Sequence, residues 1–219
     1  MPSRRLRPNE TVRPLRRRRS LVLATRNVHK LAEFRRLLAP AQIELVPLPA
    51  GVALPPEDGD TFAANALSKA RAAAAATGRA ALADDSGIEA AALGGGPGVR
   101  SARYAGPDAT DEQNLQKLIA AAPAGSALQY VCALAYVDPQ RGEEHIVLGE
   151  CAGRMSGTRR GRRGFGYDPV FVPDADTGRR TMAELQDHEK DAISHRGDAA
   201  RGLLRWLAHS VSAPPGPNS

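Results

Sequence analysis

The chain of 219 residues is long enough to bury a sizeable core without disulfide staples, and its two cysteines, Cys132 and Cys151, have no partner at metal-ligand spacing. The formal charge of +6 is concentrated at one end: residues 1–19 hold eight arginines against one acid, Glu10, for +7, so the remaining 200 residues sum to −1. This weakens a nucleic-acid reading of the folded region, and the lack of any apolar stretch near the ~20 residues of a bilayer span excludes a membrane-spanning helix.

Residues 1–19 read as a disordered basic tail, able to touch RNA or another acidic surface. The apolar run Leu21 to Ala24 is shorter than the ~7–15 residues of an export-signal core, so a cytoplasmic location is expected. The folded region runs over 20–209. Residues 210–219, with Pro214-Pro215-Gly216-Pro217, read as a second disordered end.

Ser20 to Ala24 suits a buried strand. Thr25-Arg26-Asn27 turns the chain into a helix over 28–39, where Leu31, Phe34, Leu37 and Leu38 recur at helical spacing. Ile43 to Leu48 predicts a second strand. Prolines 47, 49, 55 and 56 mark a loop ending at Glu57-Asp58-Gly59-Asp60, and the alanine-rich run Thr61 to Thr77 predicts a helix. Ala80 to Ala83 predicts a brief strand with Asp84-Asp85-Ser86-Gly87 at its end. A glycine- and proline-punctuated loop covers 94–107, and a helix 111–121. Paired strands over 130–137 and 145–150 and a strand over 170–172 follow, then one last helix that buries Ile193, Ala200, Leu203, Leu204 and Leu207. Strands and helices alternate early and two strands then run together, so the fold class is α/β with a mixed sheet, and ligands belong where strand ends open into loops.

Polar clusters fall at such places. Thr25-Arg26-Asn27-Val28-His29-Lys30 enters a helix, whose first N–H groups suit phosphate, with Lys30 adding a full charge; capping by Thr25 or Asn27 is the simpler reading of the same residues. Glu57, Asp60, Asp84 and Asp85 offer the hard oxygens that magnesium takes, and a base to activate water; turn chemistry explains them equally. Asn65 and Lys69 share a face of the alanine helix and line either a cleft or solvent. Phe165, between Gly164 and Gly166 and followed by Tyr167-Asp168-Pro169, sits on a loop where its ring can stack on a base or plug the core. Lys190 with Ser194-His195-Arg196 brings cationic donors to a helix, or forms an ordinary surface pair. No P-loop, dinucleotide fingerprint, serine-hydrolase elbow or zinc-protease motif occurs.

In order and spacing these clusters resemble the inosine/xanthosine triphosphate pyrophosphatase family, the noncanonical purine NTP pyrophosphatases. The matching blocks are residues 24–30, 61–71, 83–87, 97–106, 164–169 and 190–196, and the resemblance spans about 20–208. It implies an elongated mixed β-sheet flanked by helices, two lobes around a central substrate cleft, and a homodimer. It implies hydrolysis of ITP, dITP or XTP to the monophosphate and pyrophosphate with Mg2+. By that resemblance Thr25, Arg26, Asn27, Val28, His29, Lys30 and Lys69 hold the triphosphate, with Asn65 on the same helix face as Lys69. Glu57 and Asp85 bind magnesium, Asp85 also accepts the proton with Asp84 sharing that role, and Ser86 touches substrate. Phe165, Gly166, Tyr167 and Asp168 embrace the base, while Lys190, His195 and Arg196 read its 6-oxo edge. Donors that expect a carbonyl are left unpaired by adenine, a discrimination of ~10⁴ or more.

Two residues depart from the family pattern. Arg26 and Arg163 stand where glycine is common; if position 26 needs positive φ, arginine is strained there, and otherwise it adds a phosphate contact. Three rival readings stay open: a related pyrophosphatase for other modified triphosphates, a nucleotide-binding module without turnover, and an RNA-binding protein acting through its tail.

Overall fold

A computed structural model describes residues 19–210, so the expected tails lie outside the described residues except for Arg19, which begins a strand, and Ser210, which ends a helix. Leu21, Val22 and Leu23 are buried in succession, the pattern of a strand covered on both faces. This strand, β1 (Arg19–Leu23), pairs in parallel with β2 (Ile43–Pro47) through its whole length. Between them runs α1 (Val28–Leu38), capped by Asn27, whose Oδ1 accepts from the His29 and Lys30 N–H groups at 2.9 and 3.1 Å. The alanine-rich α2 (Phe62–Thr77) is capped by Thr61 and ends on Gly78 at φ +64°, a conformation open to glycine without strain.

β3 (Ala81–Ala90) departs most from the sequence reading. The expected strand stops at Ala83, but the observed one runs on through Asp84, Asp85, Ser86 and Gly87. The cause is β4 (Ala127–Asp138), which pairs antiparallel with β3 from Ala81↔Val137 to Ala90↔Leu128. A long-range ladder thus overrides a local composition typical of turns. On its other side β3 pairs with β1 only at Ala81 and Leu82, so among the described residues no strand lies along the Asp84–Gly87 edge.

α3 (Asp111–Ala121) has the expected limits, while β5 (Glu143–Met155) and β4 both outrun theirs, because the two strands sustain each other as a hairpin from Asp138↔Glu143 to Ala127↔Arg154. With β6 (Phe171–Pro173) the sheet has the order β2-β1-β3-β4-β5-β6, mixed and flanked by helices as expected. The single last helix is in fact two, α4 (Asp187–Ile193) and α5 (His195–Ser210). They part at Ser194, which is extended and whose Oγ accepts from the Gly197 N–H at 3.1 Å, capping α5. Ile193 and Leu204 are half-buried rather than buried.

Three cores hold these layers together. Phe34 and Leu38 of α1 and Leu203 of α5 pack on one face of the sheet, and Ala66, Ala70 and Ala73 of α2 pack on Ala83, Ala133 and Ala135 on the other. A third core at the far ends of β3 to β5 gathers Ile88, Leu118, Phe171 and Met182. Both cysteines are buried free thiols; burial raises both, Cys151 to about 12, so neither ionises at neutral pH. Among the described residues no helix is long and apolar enough to cross a membrane.

Candidate active site

An open cleft lies along the free edge of β3, lined from one side by Asn27, Lys30 and Glu57 and from the other by Ser101, Asn114 and Tyr167, with Asp85, Ser86 and Gly87 as its floor. Tyr130, Phe165, Gly166, Asp168, His195 and Arg196 close its other end. Gly87 is required there by space: a Cβ would meet the Ser101 hydroxyl and would lie 2.6 Å from the Gly98 carbonyl.

The acidic end is built from alternating charges. Asp85 directs its side chain along two fixed hydrogen bonds, from Asn65 Nδ2 to Oδ2 at 2.8 Å and from the Ser86 N–H to Oδ1 at 3.0 Å. Burial, and after it the nearby charge of Glu57, raises its pKa against the pull of Lys69 and Asn65. Lys69 forms an ion pair with Glu57, donates to the Asp84 carbonyl at 2.7 Å and lies 4.0 Å from Asp85. Its own burial would lower its pKa, but Asp84, Glu57 and Asp85 outweigh that and keep it a cation.

Asp84 is a different kind of group from its neighbour. It is 1 % exposed and does not line the cleft; Lys30 lies 2.8 Å from its Oδ2, Ser86 Oγ donates to the same atom at 2.9 Å, and Arg196 Nε stands 3.6 Å away. Burial works to raise its pKa, yet Lys30, Arg196 and Lys69 hold it well below the carboxylate range. A group so firmly ionised anchors cations and is a poor proton acceptor.

Glu57 and Asp85 both line the acidic end of the cleft, and the charge of Glu57 adds to burial in raising the pKa of Asp85. A hard divalent cation offsets such charge. No group of three or more His, Cys, Asp or Glu side chains among the described residues is arranged to hold a metal. The two carboxylates offer hard oxygens, the donor type of a divalent cation that completes its shell with water and phosphate.

At the other end Phe165 sits between Gly164 and Gly166, at φ +71° and +61°, and its ring stacks on His29 with centroids 5.1 Å apart. The Lys190 ammonium and Arg196 guanidinium lie 5.3 and 5.1 Å from the ring centre, within cation–π range. Beneath the loop Asp168 accepts from the Phe165 N–H at 3.0 Å, Tyr130 OH at 3.1 Å and Lys190 Nζ at 2.6 Å. His195 is buried and stacked on Tyr130 at 4.5 Å; burial, with Arg196 and Lys190 nearby, pushes its pKa well below the ordinary value, so the imidazole is neutral. Arg196 donates to Ser86 Oγ at 2.7 Å and so ties the two ends together.

Several expected site residues are placed elsewhere. Arg26 does not line the cleft: its guanidinium donates to the carbonyls of Leu48, Pro49, Ala50 and Val52, and neither it nor Arg163 has positive φ, so no strain arises. Thr25 Oγ1 accepts from the Asn27 N–H, and Val28 is 70 % exposed. The His29 and Lys30 N–H groups are taken by the Asn27 cap, which leaves the Lys30 ammonium as this segment's charged group at the cleft. Asn65 and Lys69 stand behind Asp85 and Glu57. Lys190 is saturated by Asp168 and Glu33 and does not line the cleft. Asp60 is an exposed loop residue with no place in the cluster.

Glu33 escaped the sequence reading. Its carboxylate accepts from Lys190 at 2.7 Å and Arg196 at 3.1 Å. The signal was an acid next to Phe34 on the apolar side of α1, three residues after Lys30. Tyr130, Ser101 and Asn114, also at the cleft, carry no local signal.

The fold and the cleft define an α/β protein with one continuous site, acidic and cationic at one end and aromatic at the other. A sequence profile of the Ham1 family matches residues 21–206, and the chain belongs to that family. The dITP/XTP pyrophosphatase of Cutibacterium acnes is 48% identical over 192 residues, covering 84% of this chain and 94% of its own. That of Frankia alni is 50% identical over 204 residues, covering 88% and 99%. Among solved structures, a HAM1 protein from Coxiella burnetii matches with a TM-score of 0.77 at 41% identity, covering 87% of this chain and 99% of its own.

Proposed function

We propose that this chain hydrolyses noncanonical purine nucleoside triphosphates, the dITP and XTP class named in its relatives, to the monophosphate and pyrophosphate. The observation that carries the reading is that one cleft joins Lys30 and the Glu57–Asp85 pair, with Lys69 paired to Glu57 behind it, to the Phe165 ring and the His195–Arg196 donors.

Glu57 and Asp85 would hold Mg2+, which when bound screens the polyphosphate charge and orients its oxygens. Asp85 is the proton acceptor, its carboxylate held in direction by the hydrogen bonds from Asn65 Nδ2 and the Ser86 N–H. Water attacks the α-phosphorus, its proton passes to Asp85, and the bond to the pyrophosphate oxygen breaks. Lys30, which lines the cleft, offsets the charge that develops on the leaving group, and Lys69 holds Glu57 from behind. Asp84 orients Lys30 and Arg196. Phe165 stacks on the base, His195 and Arg196 read the 6-oxo edge, and Lys190 holds Asp168 and with it the Phe165 loop.

The proposal includes a homodimer. It is supported by apolar side chains left bare on β5, where Leu148 is 58% and Ile146 36% exposed.

The test is a panel of triphosphates with Mg2+, scored for pyrophosphate. dITP and XTP are expected to turn over far faster than dATP. Release of single orthophosphate, or equal rates for dATP, overturns the reading.

A further inference from the structure

Residues 48–61 connect β2 to α2 without helix or strand, and they carry Glu57 to the cleft. Prolines 49, 55 and 56 have no N–H, so this stretch is poor in donors for its own carbonyls. Arg26 supplies donors from outside. Its Nη1 donates to the Leu48 carbonyl at 3.0 Å, and its Nη2 to those of Pro49, Ala50 and Val52 at 2.9, 3.1 and 2.8 Å. Further along, Arg103 Nη2 donates to the carbonyl of Glu57 itself at 2.6 Å. Val52 and Leu54 pack against the alanine core, so the segment's apolar side chains are seated independently of the two arginines.

We infer that Arg26 and Arg103 are positioning residues that fix the Glu57 carboxylate beside Asp85 and thereby set the affinity of the pair for a divalent cation. The inference rests on the proposed role of Glu57 and Asp85 as magnesium ligands. Both arginines bond main-chain carbonyls of the loop, so they act through its course and not on the ligand oxygens. A guanidinium suits this task, since its planar fork spreads five N–H groups over several acceptors. Lysine at position 26 keeps the charge but has a single nitrogen, so it cannot serve the Leu48 carbonyl, which Nη1 reaches, together with the three that Nη2 reaches.

The test is Mn2+ binding to the full-length protein without nucleotide, followed by electron paramagnetic resonance, together with amide hydrogen exchange over residues 50–60. Arg26→Ala and Arg103→Ala are each expected to weaken Mn2+ binding by about 10-fold or more, the range for groups that orient metal ligands. Both should speed exchange in the loop and raise the Mg2+ concentration needed for half-maximal turnover. Arg26→Lys should fall between the wild type and Arg26→Ala, since one ammonium can replace contacts of Nη2 but not that of Nη1 as well, and Arg26→Gln replaces the alanine variant if that one lacks a cooperative melt. Glu57→Gln separates the two levels of the argument. If Mn2+ affinity survives Glu57→Gln, the ligand assignment fails. If Glu57→Gln loses Mn2+ while both arginine variants bind it as the wild type does, the positioning role is overturned and the ligand assignment stands.

Discussion

Asn65 Nδ2 donates to Asp85 Oδ2 at 2.8 Å, so a side chain of α2 aims a carboxylate of β3. The orientation of the amide is dictated on its other side, where Asn65 Oδ1 accepts from the Gly59 N–H at 2.8 Å. Asn65→Ala removes both contacts at a residue only 2 % exposed. A hydrogen bond to a charged group is worth ~1.5–3 kcal/mol, so kcat/KM for dITP should fall roughly 10- to 150-fold. Steady-state kinetics with a circular dichroism control measure this. Wild-type kcat/KM in a folded variant would mean that the Ser86 N–H alone holds Asp85.

Glu33 binds two buried cations, and this has a pH signature. Burial alone would raise its pKa, but Arg196 and Lys190 outweigh it, and the folded value lies below the ordinary 4.5. A depressed carboxyl contributes stability that is complete above the unfolded pKa and is lost as pH falls through the folded one. Glu33→Gln removes the counter-charge of Lys190 and Arg196 at neutral pH and should destabilise the protein by about 3–5 kcal/mol. The difference from wild type should then shrink below pH 4.5, as the native carboxyl itself becomes neutral. Denaturant midpoints across the acid range report it. A difference independent of pH would assign the effect to packing.

What the sequence made legible follows from the range of each interaction. α3 is legible with its limits, and α1 to within one residue, because apolar spacing and caps are local. The course of β3 was hidden, since Asp84-Asp85-Ser86-Gly87 has the composition of a turn and only the β4 ladder makes it a strand. The same ladder explains why Asp84 and Asp85, adjacent in sequence, differ so much. Neighbouring strand residues point to opposite faces, and one meets Lys30 and Arg196 while the other meets the cleft. Phe165 announced itself by flanking glycines, whereas Glu33 looked like one more helix acid. Arg26 was read as a phosphate contact because its partners, the carbonyls of 48–52, lie more than twenty positions away.

Phe165 tests the aromatic end separately. Its ring stands between His29 and the cations of Lys190 and Arg196, on a loop tied by Asp168. Base–aromatic stacking is worth ~1–3 kcal/mol, so Phe165→Ala should raise KM for dITP by roughly 5- to 150-fold. Divalent-ion binding without nucleotide should stay at the wild-type level, because the ring lies at the other end of the cleft. A fall in kcat with KM unchanged would argue that the ring plugs the loop against the core and does not receive the base.

Gly149 connects packing to the site. It lies in β5 under α5, and a Cβ there would collide with the backbone at the His195 carbonyl and the Ala199 N–H, and would lie 2.9 Å from the Ala199 Cα. Backbone cannot rotate away as a side chain can, so alanine must push α5 off the sheet. The first residues of α5 are His195 and Arg196. Gly149→Ala should therefore cost about 1–3 kcal/mol of stability and raise KM for dITP as well. Gly202→Ala is the comparison, since its Cβ meets the Val147 side chain farther along the same helix. It should lose some stability with KM near wild type. Equal KM values for the two variants would show that the seat of α5 on Gly149 does not set the position of His195 and Arg196.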